Sequence, residues 1–233
     1  MGRRSASLAS GPWPAKEPTR RPQYAPPGFG KFAPMKKFKI LIAESVAPDD
    51  FYAEDCEGHV VQAIAKVLHW KSSHKVALDV KTLRRAINHA SNSGYDILHL
   101  SCHGDEKGIE LTDETQLSWD ELADCFQDAG HTPHALVISS CVGGDAGVAD
   151  AFRNRKCRPS VIFGAEGKKE RRITFPGACI SWPILYTSLA SQGLTRDAFK
   201  DAVTKMNLIT KHDFVYRRWH EGKYRRYPTR NQS

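Results

Sequence analysis

From Phe38 onward the apolar positions come in short bursts, and the bursts follow two different periods. Four runs are nearly continuous: Phe38 to Ser45 (FKILIAES), Tyr95 to Ser101 (YDILHLS), Ala135 to Ser140 (ALVISS) and Ser160 to Ala165 (SVIFGA). Short apolar runs rich in β-branched residues are the pattern of strands buried on both faces of a parallel sheet. Between them the spacing turns helical. Val60, Val61, Ile64, Ala65, Val67 and Leu68 share one face of a helix expected from about Cys56 to Trp70, and Leu83, Ala86, Ile87 and Ala90 give the next helix its stripe. A short strand is expected between these two helices, from Lys75 to Val80.

After His103-Gly104 the pattern predicts a small hairpin, with Gly108 to Leu111 pairing Gln116-Leu117. Ser118-Trp119-Asp120-Glu121 has the spacing of a capping box and should open a short helix buried through Trp119, Leu122, Ala123 and Phe126. Further helices are expected over Gly147 to Arg155, over Ala178 to Ser191, and from a Thr195 cap to about Leu208. Pro183 must kink the second of these or stand in its first turn. Strand and helix in alternation predict an α/β domain, with a mostly parallel sheet covered by helices on both faces.

The two ends lack this periodicity. Residues 1–34 hold seven of the thirteen prolines, with Gly, Ser and Arg, and read as a disordered or extended arm. Residues 35–210 form the expected domain, and 211–233 read as a basic, aromatic tail. The segment from Lys168 to Pro176 reads as a charged surface loop.

Charge follows the same division. The formal net charge is +8. Residues 1–39 carry +8 (nine Lys/Arg against Glu17) and residues 211–233 carry +5 (seven against Asp213 and Glu221), so the middle of the chain carries −5. Basic charge confined to the ends argues against dedicated nucleic-acid binding and leaves weak contact through those ends. Six cysteines without C-x-x-C pairs, several inside apolar patterns, predict a reduced, cytoplasmic protein. No apolar run approaches the roughly 18 residues that would span a membrane.

Candidate chemistry sits where two of the strands end. One runs into Cys102-His103-Gly104 and the other into Cys141-Val142-Gly143-Gly144. If those strands lie parallel and adjacent, both loops open at one sheet edge and bring a base, His103, to a thiol, Cys141. A thiol attacks as thiolate, and an imidazole or a helix amino end near Gly144 would favour that form. Gly143 and Gly144 would let the backbone turn tightly after the nucleophile, and Gly104 would leave room for a substrate carbonyl. The N–H groups of Gly104 and Cys141 are candidates for an oxyanion hole. His99 alternates with Leu100 inside its strand and should face a covering helix as a satisfied core residue. A zinc site from His99, Cys102, His103 and Cys141 would require neighbouring strand residues to point the same way, so no metal is assigned.

An apolar strand ending in His-Gly, followed about 40 residues later by one ending in Cys-x-Gly, resembles the caspase-type cysteine peptidases, a group that includes caspases, metacaspases, gingipains, legumain and separase. Residues 95–104, the following Gly-Ile-Glu-Leu and Leu-Ser-Trp-Asp-Glu-Leu segments and the Ser-Ser-Cys ending at Cys141 are similar to the bacterial CHAT branch. The resemblance covers roughly Phe38 to Leu208. It implies a caspase-hemoglobinase-like three-layer sandwich, His103 as base, Cys141 as nucleophile and cofactor-free hydrolysis of a protein or peptide. It further implies a role in bacterial defence or programmed cell death, under a separate sensor or regulatory protein. Two positions before the nucleophile, where caspases carry Gln and metacaspases Asp, this chain has Ser139. Preference at the cut is therefore open, with Asp105, Asp145 and Glu166 as candidates for reading a basic side chain. The rival readings are a non-catalytic interaction module with this fold and a small-molecule amide hydrolase using the same pair.

Overall fold

The computed structural model describes residues 34–167, 173–210 and 212–229. The arm read over residues 1–34, apart from Pro34, and most of the Lys168 to Pro176 loop lie outside the described residues.

β1 (Lys39–Ser45) is followed by a one-turn helix α1 (Pro48–Tyr52), α2 (Glu57–Val67), β2 (Lys71–Val76), α3 (Val80–Asn92) and β3 (Ile97–Gly104). A hairpin of β4 (Gly108–Glu110) and β5 (Gln116–Ser118) leads to α4 (Trp119–Gln127) and β6 (Ala135–Ser139). Then come α5 (Ala146–Arg153), β7 (Val161–Ala165), α6 (Phe175–Gln192), α7 (Arg196–Thr210), β8 (Phe214–His220) and β9 (Lys223–Tyr227). Among the described residues the sheet order is β2-β1-β3-β6-β7-β8-β9, with β4 added to the end of β3 and β5 to β4. The pairs from β2 to β7 are parallel, whereas β8 runs antiparallel to β7 and β9 to β8.

Alternation along the strands builds the three expected layers, because successive side chains leave a strand on opposite faces. Leu98, Leu100, Leu136 and Ile138 pack against α3, α4 and α5. Ile97, Ala135, Val137 and Phe163 pack on the other face against α2, α6 and α7. The capping boxes are formed, Asp79 with Thr82 at α3 and Ser118 with Glu121 at α4. Pro183 stands inside α6 rather than in its first turn, since the helix begins at Phe175 with Thr174 capping it.

Two expectations are corrected. The second strand lies at Lys71–Val76, not Lys75 to Val80. It is a polar edge strand, KSSHKV, paired only with β1, so an apolar pattern cannot find it, and Val80 instead opens α3 after the Asp79 cap. Of the segment read as a tail, residues 212–229 are described and hold two strands: Phe214, Val215 and Tyr216 are buried, and β8 pairs along the whole of β7. Its arginines masked the strand. Arg217 is itself 8% exposed, because Glu166 accepts from it at 3.0 Å and the Gly144 carbonyl at 2.8 Å.

Candidate active site

Register places the two candidate residues. β3 and β6 are parallel neighbours with Ser101 opposite Ser139, and two residues further along each chain come His103 and Cys141. β3 runs on through Gly104 because β4 pairs with it there, His103 with Glu110 and Gly104 with Ile109. Cys141 stands in the turn just past β6. His103 and Cys141 line one cavity of about 270 Å³, together with Cys102, Ser139 and Ser140.

β1, on the other side of β3, brings a third group. Pro48 starts α1, and its one turn carries Asp50 to His103, with Oδ2 2.5 Å from Nε2. The pair is open to water, the imidazole 53% and the carboxylate 37% exposed. An Asp on the ring fixes its orientation and stabilises the imidazolium formed when the ring takes a proton.

The loop after Cys141 is held by packing rather than by special dihedrals. A Cβ on Gly143 would lie 2.4 Å from the Ile138 carbonyl oxygen, and one on Gly144 2.6 Å from that of Gly164. The Gly144 N–H donates to the Ala165 carbonyl at 2.8 Å, and Arg217 of β8 grips the Gly144 carbonyl from the other side. Gly104 is crowded too, since a Cβ there would be 2.9 Å from the Gly108 carbonyl oxygen. Helix α5 begins at Ala146, with Asp145 as its cap residue, between the two starts expected from the sequence, near Gly144 and at Gly147.

Beneath the pair lies a buried polar chain. Glu57, at the start of α2, receives the Ser139 hydroxyl on Oε2 at 2.7 Å and faces His99 Nε2 across 2.6 Å on Oε1. Tyr186 from α6 reaches the other ring nitrogen of His99 at 2.6 Å. Glu57 and Ser139 are each 5% exposed and His99 is fully buried, yet Glu57 and Ser139 both line the cavity. A neighbouring contact holds α2 in place: the Gly58 N–H donates to Glu44 of β1 at 2.6 Å, and His74 lies 2.8 Å from the other Glu44 oxygen.

Of the candidates for substrate recognition, Ser139 lines the cavity and Asp105, Asp145 and Glu166 do not. Asp105 accepts the N–H groups of Lys107 and Gly108 in the turn before β4. Asp145 accepts from the Gly167 N–H, and burial pushes its carboxyl above the usual range. Glu166 is bracketed by Arg217 and by Arg226, the latter at 2.6 Å on both oxygens. The acids at the cavity are Asp50, Asp55 and Glu57. They follow β1, before the apolar stripe of α2, where nothing in the apolar pattern marked them. Only the general rule that strand ends at one sheet edge share a site pointed to that stretch.

Four of the other thiols are poor nucleophiles in this setting. Burial, then the charge of Glu57, pushes Cys102 well above the normal thiol range, and burial likewise raises Cys56, Cys125 and Cys179. A protonated thiol neither attacks nor binds metal readily. Among the described residues, no group of three or more His, Cys, Asp or Glu side chains has the arrangement to hold a metal ion.

No family model and no curated protein matches the sequence. Among solved structures, the chain is similar to a secreted C11 cysteine protease from Bacteroides thetaiotaomicron ("iotapain"), with TM-score 0.50 and 10% identity over 80% of this chain and 67% of that one. It is also similar to the Drosophila initiator caspase Dronc, with TM-score 0.50 and 11% identity over 84% of this chain and 85% of that one. The fold is thus a caspase-like α/β sandwich.

Proposed function

We propose that this chain is a cysteine endopeptidase in which Cys141 is the nucleophile, His103 the general base and acid, and Asp50 the group that orients His103. The observation that carries the reading is the β3–β6 register, which delivers His103 and Cys141 to one cavity at one sheet edge. His103 takes the thiol proton as Cys141 Sγ attacks the scissile carbonyl carbon, and the Gly104 and Cys141 N–H groups hold the oxyanion. The tetrahedral adduct collapses as His103 returns the proton to the leaving amine, leaving a thioester. Water, deprotonated by His103, then attacks the thioester, and the released thiolate is reprotonated. Proton transfer of this kind contributes about 10²–10⁴-fold, and each oxyanion donor about 2.7–4 kcal/mol. No step calls on a cofactor.

The similarity of the His103 and Cys141 segments to the CHAT branch extends the reading to a partner protein, cut during bacterial defence or programmed cell death when a separate sensor fires. The test is incubation with a mixed peptide library, followed by mass spectrometry of the products. Wild type should cut, Cys141→Ala should not, and His103→Ala should fall by about 10²–10⁴-fold in kcat/KM. Cleavage that persists in Cys141→Ala, or a wild type that cuts nothing and resists a thiol-reactive peptide probe, sinks the reading.

A further inference from the structure

The cavity beside Cys141 has a strongly one-sided polar lining. Asp50 and Asp55 stand near its mouth and Glu57 lies in its floor, while no Lys or Arg lines it among the described residues. Surface acids by themselves mean little, but Glu57 differs from the other two in its burial and its partners. With the His99 proton on Nε2, Tyr186 donates to Nδ1, His99 donates to Glu57, and Ser139 donates to the second carboxylate oxygen. Every member then has a hydrogen-bond partner, and among the described residues no Lys or Arg side chain meets the Glu57 carboxylate.

A charge taken out of water without a counter-charge is costly. The protein keeps this one at the floor of an open cavity rather than in a closed core. A carboxylate offers about four acceptor positions, and the protein uses one on each oxygen, which leaves a second on each. A further polar group waits in the same cavity: the Ser140 hydroxyl, 3% exposed, has no hydrogen-bond partner among the described residues. Buried polar groups without partners are rare enough to call for an explanation, and a bound ligand supplies one.

We infer that this cavity receives a basic side chain, Arg before Lys, of the residue preceding the scissile bond, with Glu57 as its counter-ion. The inference rests on the peptidase reading and names its substrate class. A guanidinium is planar and donates two parallel hydrogen bonds that match a carboxylate, whereas an ammonium brings a single point charge. Ser139 and His99 set the orientation of Glu57 from the protein side, so the carboxylate is held ready before substrate arrives. Asp50 and Asp55 add attraction at the mouth and repel an acidic side chain. Here the acid comes from the head of α2, and Ser139, two positions before the nucleophile, orients it.

The experiment measures kcat/KM on fluorogenic peptides that differ only in the residue before the cut, with Arg, Lys, Leu and Asp compared. Arg and Lys should be preferred. Glu57→Gln should lower the Arg rate by about 30-fold or more, as removing one partner of a buried charge pair does, and change the Leu rate by less than about threefold. Asp55→Asn, at an exposed position that tolerates substitution, should lower the Arg rate by about two- to fivefold. In parallel, N-acetyl-arginine amide should bind Cys141→Ala in calorimetry, with N-acetyl-leucine amide as control, and should not bind Cys141→Ala/Glu57→Gln. Preference for Leu or Asp, equal losses on all peptides in Glu57→Gln, or absent arginine-amide binding overturns the inference and leaves the peptidase reading standing. Arginine-amide binding without cleavage of any peptide overturns the peptidase reading while the cation site survives, and the inferred substrate class falls with it.

Discussion

His99 and His103 stand four residues apart on one face of β3, each against a carboxylate delivered by the chain that follows β1. Their surroundings are opposite. His99 is fully buried, with Tyr186 on one ring nitrogen and Glu57 on the other. His103 is half-exposed and meets Asp50 at the rim of the cavity. Strength follows the dielectric around each pair: water screens the outer one, and the inner one must satisfy every polar atom because nothing else will. One strand thus carries a fixed foundation and, two pleat periods further on, a group with room to exchange protons.

Substitutions sharpen that contrast. His99→Ala removes a buried donor to the Glu57 carboxylate and should lower unfolding free energy by about 1.5–3 kcal/mol, read by urea denaturation. A loss below about 1 kcal/mol would mean that water reaches the inner pair and that the two histidines are not different in kind. Asp50→Asn should do the reverse. We expect kcat/KM to fall about tenfold, through kcat, since an exposed orienting carboxylate contributes less than a buried one. Stability should change by no more than about 0.5 kcal/mol. An equal loss in stability would make α1 a structural strut rather than the positioning element for His103.

The smallest effect concerns the Glu44–His74 contact that seats α2. Burial alone would raise the Glu44 carboxyl, but hydrogen bonds from His74 and the Gly58 N–H outweigh it and hold the group below its ordinary 4.5. A carboxyl depressed in the folded state stabilises the protein above its unfolded value, and that contribution disappears as pH falls through the depressed one. Thermal melts of Glu44→Gln should therefore show a lower Tm at pH 7 than wild type, with the gap closing on acidification below about pH 4.5. A gap independent of pH would show that the side-chain shape, not its charge, seats α2.

Much of this was legible in the chain. The continuous runs at Phe38 to Ser45, Tyr95 to Ser101, Ala135 to Ser140 and Ser160 to Ala165 correspond to the central strands β1, β3, β6 and β7, because a strand covered on both faces has to be apolar throughout. Ser118 and Glu121 announced α4 through chemistry confined to one turn. What escaped were the edges. β2 and β9 pair on one side only and carry polar residues, and β8 hides a buried arginine whose partners, Glu166 and Gly144, lie far off in sequence.

The site divides along the same line. Strand ends followed by glycine singled out His103 and Cys141, since that signal is local. The choice among acids was not local. Asp105, Asp145 and Glu166 are near Cys141 or His103 in sequence, but backbone N–H groups or arginines already engage them. Asp50 and Glu57 reach the cavity only because β1 lies beside β3 and Glu44 seats α2 against the sheet. From the sequence alone came the layers, the central strands and the choice of His103 and Cys141 as candidates, each written in periodicity or in a short motif. The tertiary structure decided which carboxylates face that pair, because the parallel strand order joins positions some 40 to 80 residues apart at one edge, and no local pattern records that distance.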